Sequence, residues 1–198
     1  QPYPFRFSRF KAAFEQNLKD RKLRILFAEG FILMGCLVTV FNYISYHLLE
    51  APFQLSQSWI GLISIAYLAG IYSSSKAAQW SFKYGRAKVL PLMLLMMMAG
   101  LLITLIPALW AILLGLIIFA FAFFAAHSTA SSWVSVQAIQ YRAVAASLYL
   151  FCYYIGSSLL GSSGGLIWEN FGWIGVNLSV VLVLAVGLFL TFYLHDTK

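Results

Sequence analysis

The chain has 198 residues, of which 62% are hydrophobic and only 10% charged, and its net charge is +7. Soluble domains carry roughly 25% charged residues, so this composition excludes a water-soluble globule and makes lipid the solvent. Nor does the positive charge form a nucleic-acid face. The bases cluster beside apolar runs, where they set topology and meet anionic lipid heads, so nucleic acid is not expected as a partner.

Residues 1–24 differ in kind from the rest. Phe7, Phe10, Phe14 and Leu18 recur at helical spacing, with Arg6, Arg9, Lys11 and Glu15 between them. This predicts a cytoplasmic amphipathic linker, a helix lying on the membrane surface. The remainder, 25–198, is expected to be one transmembrane bundle. A helix needs about 20 apolar residues to cross a bilayer core of about 30 Å. Six stretches meet or approach this, at about 26–49, 60–75, 89–106, 109–130, 144–168 and 175–194. Pro52, Pro107 and the run Glu169–Trp173 mark the outer turns. Trp59, Trp110, Trp168 and Trp173 stand at the outer edge, as an aromatic belt would.

All thirteen Lys and Arg residues fall on one side of this map. Seven, from Arg6 to Arg24, precede the first stretch. Lys76, Lys83, Arg86 and Lys88 lie between the second and third, Arg142 between the fourth and fifth, and Lys198 after the sixth. Bases are retained in the cytoplasm, so both termini are expected there. The third and sixth stretches carry little that is polar and are expected at the periphery, with the other four surrounding a cavity. The expected fold is therefore an all-α membrane protein of six transmembrane helices in a 3+3 inverted-repeat bundle, a layout used by secondary transporters.

Burying polar groups in hydrocarbon is costly unless they are bonded or wet. Asn42, Tyr43, Ser45, Tyr46 and His47 cluster toward the outer end of the first stretch. Asn42 and Tyr46 share one face, as do Tyr43 and His47. They are expected to line a cavity or to bridge helices. Tyr67, Tyr153 and Tyr154 fall near mid-membrane by count, with Tyr149 one turn before Tyr153. In the fifth stretch Gly156, Gly161, Gly164 and Gly165 leave one side almost bare, and Gly161 and Gly165 form a G-x-x-x-G pair that admits a close helix. His127, toward the cytoplasmic side, is expected to be a hydrogen-bonded structural residue or a titrating gate. Glu29 is expected either to pair with a base such as Arg142 or to take part in proton movement.

Cys36 and Cys152 lie inside apolar segments and read as small buried hydrophobes, not a disulfide or a metal pair. No metal-spaced cluster, HExxH motif or paired intramembrane aspartates occur. Ser162 or Ser163 would lie toward the outer half and His127 toward the inner half, which is unsuited to nucleophilic catalysis. Neither an enzyme nor a cofactor is expected. The first residue is Gln rather than Met, so the chain is expected to be part, or a processed form, of something longer.

Residues 61–70 (Gly-Leu-Ile-Ser-Ile-Ala-Tyr-Leu-Ala-Gly) and 81–90 (Ser-Phe-Lys-Tyr-Gly-Arg-Ala-Lys-Val-Leu) resemble the major facilitator superfamily around its cytoplasmic loop between helices eight and nine. Lys83, Gly85 and Arg86 match basic and glycine positions of the family's G-x-x-x-D-R-x-G-R-R/K motif, and Lys88 stands one residue past its last basic position, which is Ala87 here. Ala78 replaces its leading Gly and Phe82 its Asp, the residue that would help latch the cytoplasmic gate. The stretch 125–165 is similar to bacterial inner-membrane members labelled drug- or sugar-efflux permeases. The resemblance covers the whole chain, as helices seven to twelve preceded by the central linker. It implies a proton-coupled carrier of a small organic solute, working by alternating access with an N-terminal six-helix half from the same polypeptide or a partner chain. Asn42, Tyr43, Tyr46, Tyr67, Tyr153 and Tyr154 would supply half of the cavity. Glu29, His127, Lys83, Gly85 and Arg86 would serve coupling or gating, and Gly156, Gly161 and Gly165 helix packing. The reading from a different class is a degenerate half-carrier that does not transport and binds a partner through the bare glycine face.

Overall fold

The computed structural model describes residues 7–195, without the side chains of residues 7–9, 62 and 195. Arg6 and Lys198, and the side chains of Phe7 and Arg9, therefore lie outside the described residues. All the regular structure described is helical: α1 (Phe7–Lys19), α2 (Arg21–Leu49), α3 (Gln57–Gly61), a 3-10 turn (Leu62–Ile65), α4 (Ala66–Tyr84), α5 (Arg86–Ile103), α6 (Leu109–Gln137) and α7 (Arg142–His195). A chain in lipid must satisfy its backbone internally, and a continuous helix does so.

Four helices are long and apolar enough to cross a membrane: α2, α5, α6 and α7 up to Leu194. α7 folds back on itself at Gly172, the one residue with non-helical φ/ψ inside it (φ 58°, ψ −153°). Only glycine adopts that conformation readily. The limb before it runs parallel to α2: Gly30 meets Tyr149, Gly35 meets Leu160, and Tyr43 meets Gly161 and Gly164. The limb after it runs antiparallel to α2: His47 stacks on Trp173, Glu29 faces Gly187, and the Arg21 guanidinium sits 4.7 Å over the Tyr193 ring. α7 is therefore two antiparallel limbs joined at Gly172.

The stretch expected as the second pass, 60–75, continues to Tyr84 and is not among the helices apolar enough to cross. Its serines are accommodated within the helix: Ser74 and Ser75 each donate to the carbonyl three residues back. Gly85, at φ 86°, ends α4 and opens α5. Asp20 opens α2, its Oδ1 accepting from the backbone of Lys22 (2.8 Å) and Leu23 (3.1 Å).

Lipid tails are as apolar as leucine, so small residues and hydrogen bonds hold such helices together. α2 and the first limb of α7 cross where a Cβ on Gly156 would collide with the Phe31 carbonyl. α5 and α6 cross at Gly100 and Gly115, where a Cβ on Gly100 would lie 2.7 Å from the Gly115 carbonyl oxygen. Ser73 ties α4 to α6 by donating to the Phe121 carbonyl at 2.7 Å. Asn177 ties the second limb of α7 to α5, donating to the Leu101 carbonyl (2.8 Å) and Thr104 Oγ1 (2.9 Å).

The third and sixth stretches were expected at the periphery with lipid all round, and the structure turns part of each inward. Leu90, Leu94, Met97 and Leu101 of α5 are fully buried, and Asn177, just before the Val/Leu-rich part of the sixth stretch, is buried with them. One face of each is interior. The glycine side of the fifth stretch is also covered: α2 fills it, so it is not a bare surface for a partner.

Candidate substrate cleft

The C-terminal turns of α2 and the start of α3 enclose a cleft of about 530 Å³. Phe41, Asn42, Tyr43, Ser45, Tyr46 and Leu49 line it from α2, and Gln57 from α3. The helical repeat explains the set: residues 42, 45, 46 and 49 recur at i, i+3, i+4 and i+7, one face of one helix. Asn42 is exposed and Tyr46 is 53% exposed. Such groups are tolerated in a membrane bundle when they face water or a partner.

Tyr43 differs from its neighbours. It is buried, and its hydroxyl donates to the Gly161 carbonyl at 3.0 Å. It thus bridges two helices and offers the cleft only its ring. Trp168, from α7, packs against two of these rings, 6.3 Å from Tyr43 and 6.0 Å from Tyr46 between centroids. Sequence reading placed Trp168 in an interfacial belt and did not foresee its contact with these rings. Phe41 and Gln57 were also missed, one being apolar and the other outside every apolar stretch.

A string of aromatic rings leads away from the cleft. Phe41 touches Tyr67 (4.6 Å between centroids), and Tyr67 meets Phe124 edge-on at 5.8 Å. Phe124 meets Phe123, which stacks on His127 at 6.0 Å. His127 contacts Tyr153 at 4.9 Å, and Tyr153 meets Tyr154 at 5.3 Å. The structure thus brings Asn42, Tyr43 and Tyr46 together in one cleft. Among the described residues, Tyr67, Tyr153 and Tyr154 lie outside that cleft and connect to it through this relay of rings. Tyr154 is exposed at 62% and Tyr153 half-buried.

His127 is hydrogen-bonded: its Nδ1 lies 2.9 Å from the Tyr149 hydroxyl. Tyr149 is itself buried, with its ring pressed against Gly30 of α2. His127 meets that tyrosine rather than Ser162 or Ser163.

The expected pairing of Glu29 with Arg142 does not form. Arg142 begins α7 and donates from Nε to the Ala138 carbonyl at 3.2 Å. Glu29 points to the other side of α2, toward Gly187, where a Cβ would lie 3.2 Å from its carboxylate. It is fully buried, and neither oxygen has a hydrogen-bond partner among the described residues. Lys83, Gly85 and Arg86 lie at the α4–α5 junction, at the opposite end of α4 from Gln57 and remote from the cleft. The Arg86 Nε is buried without a partner among the described residues. Gly161 faces Val38, while Gly165 lies 3.3 Å, by its would-be Cβ, from the Tyr43 hydroxyl. No group of three or more potential metal ligands occurs among the described residues.

No family model matches the chain. Similar proteins nevertheless include an uncharacterized transporter of Buchnera aphidicola subsp. Schizaphis graminum, 46% identical over 96% of this chain and 46% of its own length. The inner membrane transport protein YnfM of Escherichia coli is 47% identical over 92% of this chain and 44% of its own. The uncharacterized MFS-type transporter YybF of Bacillus subtilis is 44% identical over 90% and 44%. The chain thus spans about half the length of the curated relatives it matches. Sustained identity across nearly all of a chain made of apolar helices shows common descent with these transporters, and the chain belongs to the major facilitator superfamily.

Proposed function

We propose that this chain is the C-terminal six-helix half of a secondary transporter that moves a small organic solute by alternating access. The observation that carries the reading is the cleft of Asn42, Tyr43 and Tyr46 in a chain related to transporters. Its polar atoms belong to amides and hydroxyls and its walls are aromatic rings, which suits a neutral or weakly charged amphipathic solute. One six-helix bundle does not enclose a path. An N-terminal half, from the same polypeptide or a partner chain, would supply the facing wall, and the two would rock about the site.

In this reading the bundle is a 3+3 inverted repeat, with α2, α4 and α5 as one triplet and α6 and the two limbs of α7 as the other. The one-sided placement of Lys and Arg supports cytoplasmic termini in a bacterial inner membrane. The efflux direction and proton coupling follow from the resemblance to efflux permeases. Glu29 and His127 are this half's candidates for coupling, and Lys83, Gly85 and Arg86 for the cytoplasmic gate. The helix α1 would lie along the cytoplasmic surface: Ala13 and Asn17 turn inward, while Phe14 and Leu18 are 39% and 37% exposed.

Transport in cells carrying the protein together with its N-terminal half tests this. The probes are fluorescent aromatic solutes, followed with and without a proton gradient. Asn42→Ala removes an exposed amide and leaves packing intact, so it should change transport while leaving the amount of folded protein unchanged. Unaltered transport of every accepted probe would remove the cleft from the path.

A further inference from the structure

A second cavity opens at the other end of α4, between α4, α5 and α6. It holds about 260 Å³. Trp80 and Tyr84 of α4, Leu92 of α5 and Phe121 of α6 form its apolar walls, and Lys88 of α5 is its one charged lining residue. Trp80 and Phe121 are 5.8 Å apart between ring centroids, side by side along the slot. Tyr84 and Leu92 are each 53% exposed, so the groove opens outward rather than into the bundle.

Its charge is not compensated. The one ion pair among the described residues joins Lys11 and Glu15, so no carboxylate there lies within pairing distance of Lys88. A second cation stands at the rim, where the Lys83 ammonium sits 5.1 Å over the Tyr84 ring. An apolar slot ending in unpaired ammonium groups at the juxtamembrane level matches one kind of molecule, with an acyl chain at one end and an anion at the other.

We propose that this groove binds an anionic phospholipid, its phosphate on Lys88 and an acyl chain along Trp80, Leu92 and Phe121. The placement of the phosphate in the cytoplasmic leaflet rests on the orientation given above. A free inorganic anion would gain nothing from walls that are carbon almost throughout, and a zwitterionic lipid would bring its own cation beside the phosphate and leave the Lys88 charge only partly offset.

Trp80 is a built-in reporter. The purified protein is reconstituted with Trp80 as its single tryptophan, the other five replaced by Phe. Brominated phosphatidylglycerol or brominated phosphatidylcholine is added at equal mole fraction, in both leaflets. One ammonium near the surface favours an anionic lipid by a factor of about five. Quenching should therefore favour phosphatidylglycerol by about that factor, and Lys88→Gln should remove the preference. Equal quenching by the two lipids, or a preference that survives Lys88→Gln, would overturn the proposal. The unsubstituted protein and its Lys88→Gln variant give a second readout by native mass spectrometry, free of the tryptophan replacements. The parent should retain phosphatidylglycerol through partial delipidation and the variant should lose it; equal retention contradicts the site. Both lipids occupy both leaflets, so neither readout depends on orientation. An error there would appear separately, as labelling of Lys83 from outside intact cells.

Discussion

The Nδ1 of His127 and the hydroxyl of Tyr149 lie 2.9 Å apart, joining α6 to the first limb of α7 behind the ring string that leads from the cleft. Tyr149 is wedged between this histidine and Gly30, where an added Cβ would come within 2.9 Å of its ring. One tyrosine side chain of α7 thus touches both α6, through its hydroxyl, and α2, through its ring. Hydrogen bonds between membrane helices contribute about 0.5–1.5 kcal/mol each. Tyr149→Phe keeps the ring and removes the bond. It should lower stability in detergent by about that amount, read as a fall in the thermal midpoint, and an unchanged midpoint would assign the contact no energetic weight.

The α2–α7 crossing should be the position least tolerant of added volume. A methyl on Gly156 meets the Phe31 backbone, which cannot rotate away, whereas one on Gly161 meets the movable Val38 side chain and one on Gly61 meets nothing within 4 Å. Overpacking costs about 1–3 kcal/mol where neighbours cannot yield. Gly156→Ala should fall in that range, Gly161→Ala should cost less, and Gly61→Ala should be close to neutral. Folded yield and thermal midpoint, compared across the three variants, check the order.

Asn177 donates two hydrogen bonds to the end of α5 from a fully buried position. Removing a partner from a buried polar group costs about 1–3 kcal/mol. Asn177→Leu should destabilise the bundle by an amount in that range and loosen the second limb of α7. Faster hydrogen exchange confined to residues 173–195 and to the end of α5 would display this, and uniform exchange along the chain would contradict it.

Glu29 presents the opposite case, since its buried oxygens have no partner among the described residues to lose. Apolar substitution at such a site is neutral or stabilising when shape is kept. Glu29→Leu should leave the thermal midpoint unchanged or raised. If Glu29 also serves coupling, Glu29→Gln should abolish the proton-gradient dependence of transport with folding intact. A lowered midpoint in Glu29→Leu would mean that the carboxyl makes a stabilising contact.

The helices were legible in the sequence where apolar runs were unbroken, and less so at their ends. The fourth stretch, read as ending near residue 130, continues to Gln137 as α6. Its serines look like a loop signal, but Ser131 and Ser132 donate to carbonyls within the helix. The same back-bonding hid the second half of α4. Read as a five-residue turn, 169–173 proved to be helical on both sides of one non-helical residue, Gly172, where the chain reverses. In the site, the shared face of Asn42 and Tyr46 followed from helical spacing alone. The commitment of Tyr43 to Gly161, the pairing of Tyr149 with His127 and the turn of Glu29 away from Arg142 depend on how helices rotate against one another. A single chain's periodicity does not contain that rotation.

Access to Asn42 from the two sides of the membrane tests the central claim most directly. In the protein together with its N-terminal half, Asn42→Cys is combined with Cys36→Ser and Cys152→Ser and labelled with a membrane-impermeant maleimide. Labelling is done from outside in cells and from inside in inverted vesicles, with and without an accepted solute. An alternating-access cleft predicts labelling from either side, slowed by the solute on both. Labelling from one side only, indifferent to every accepted solute, would mean that the cleft is a fixed surface feature and not part of a transport path.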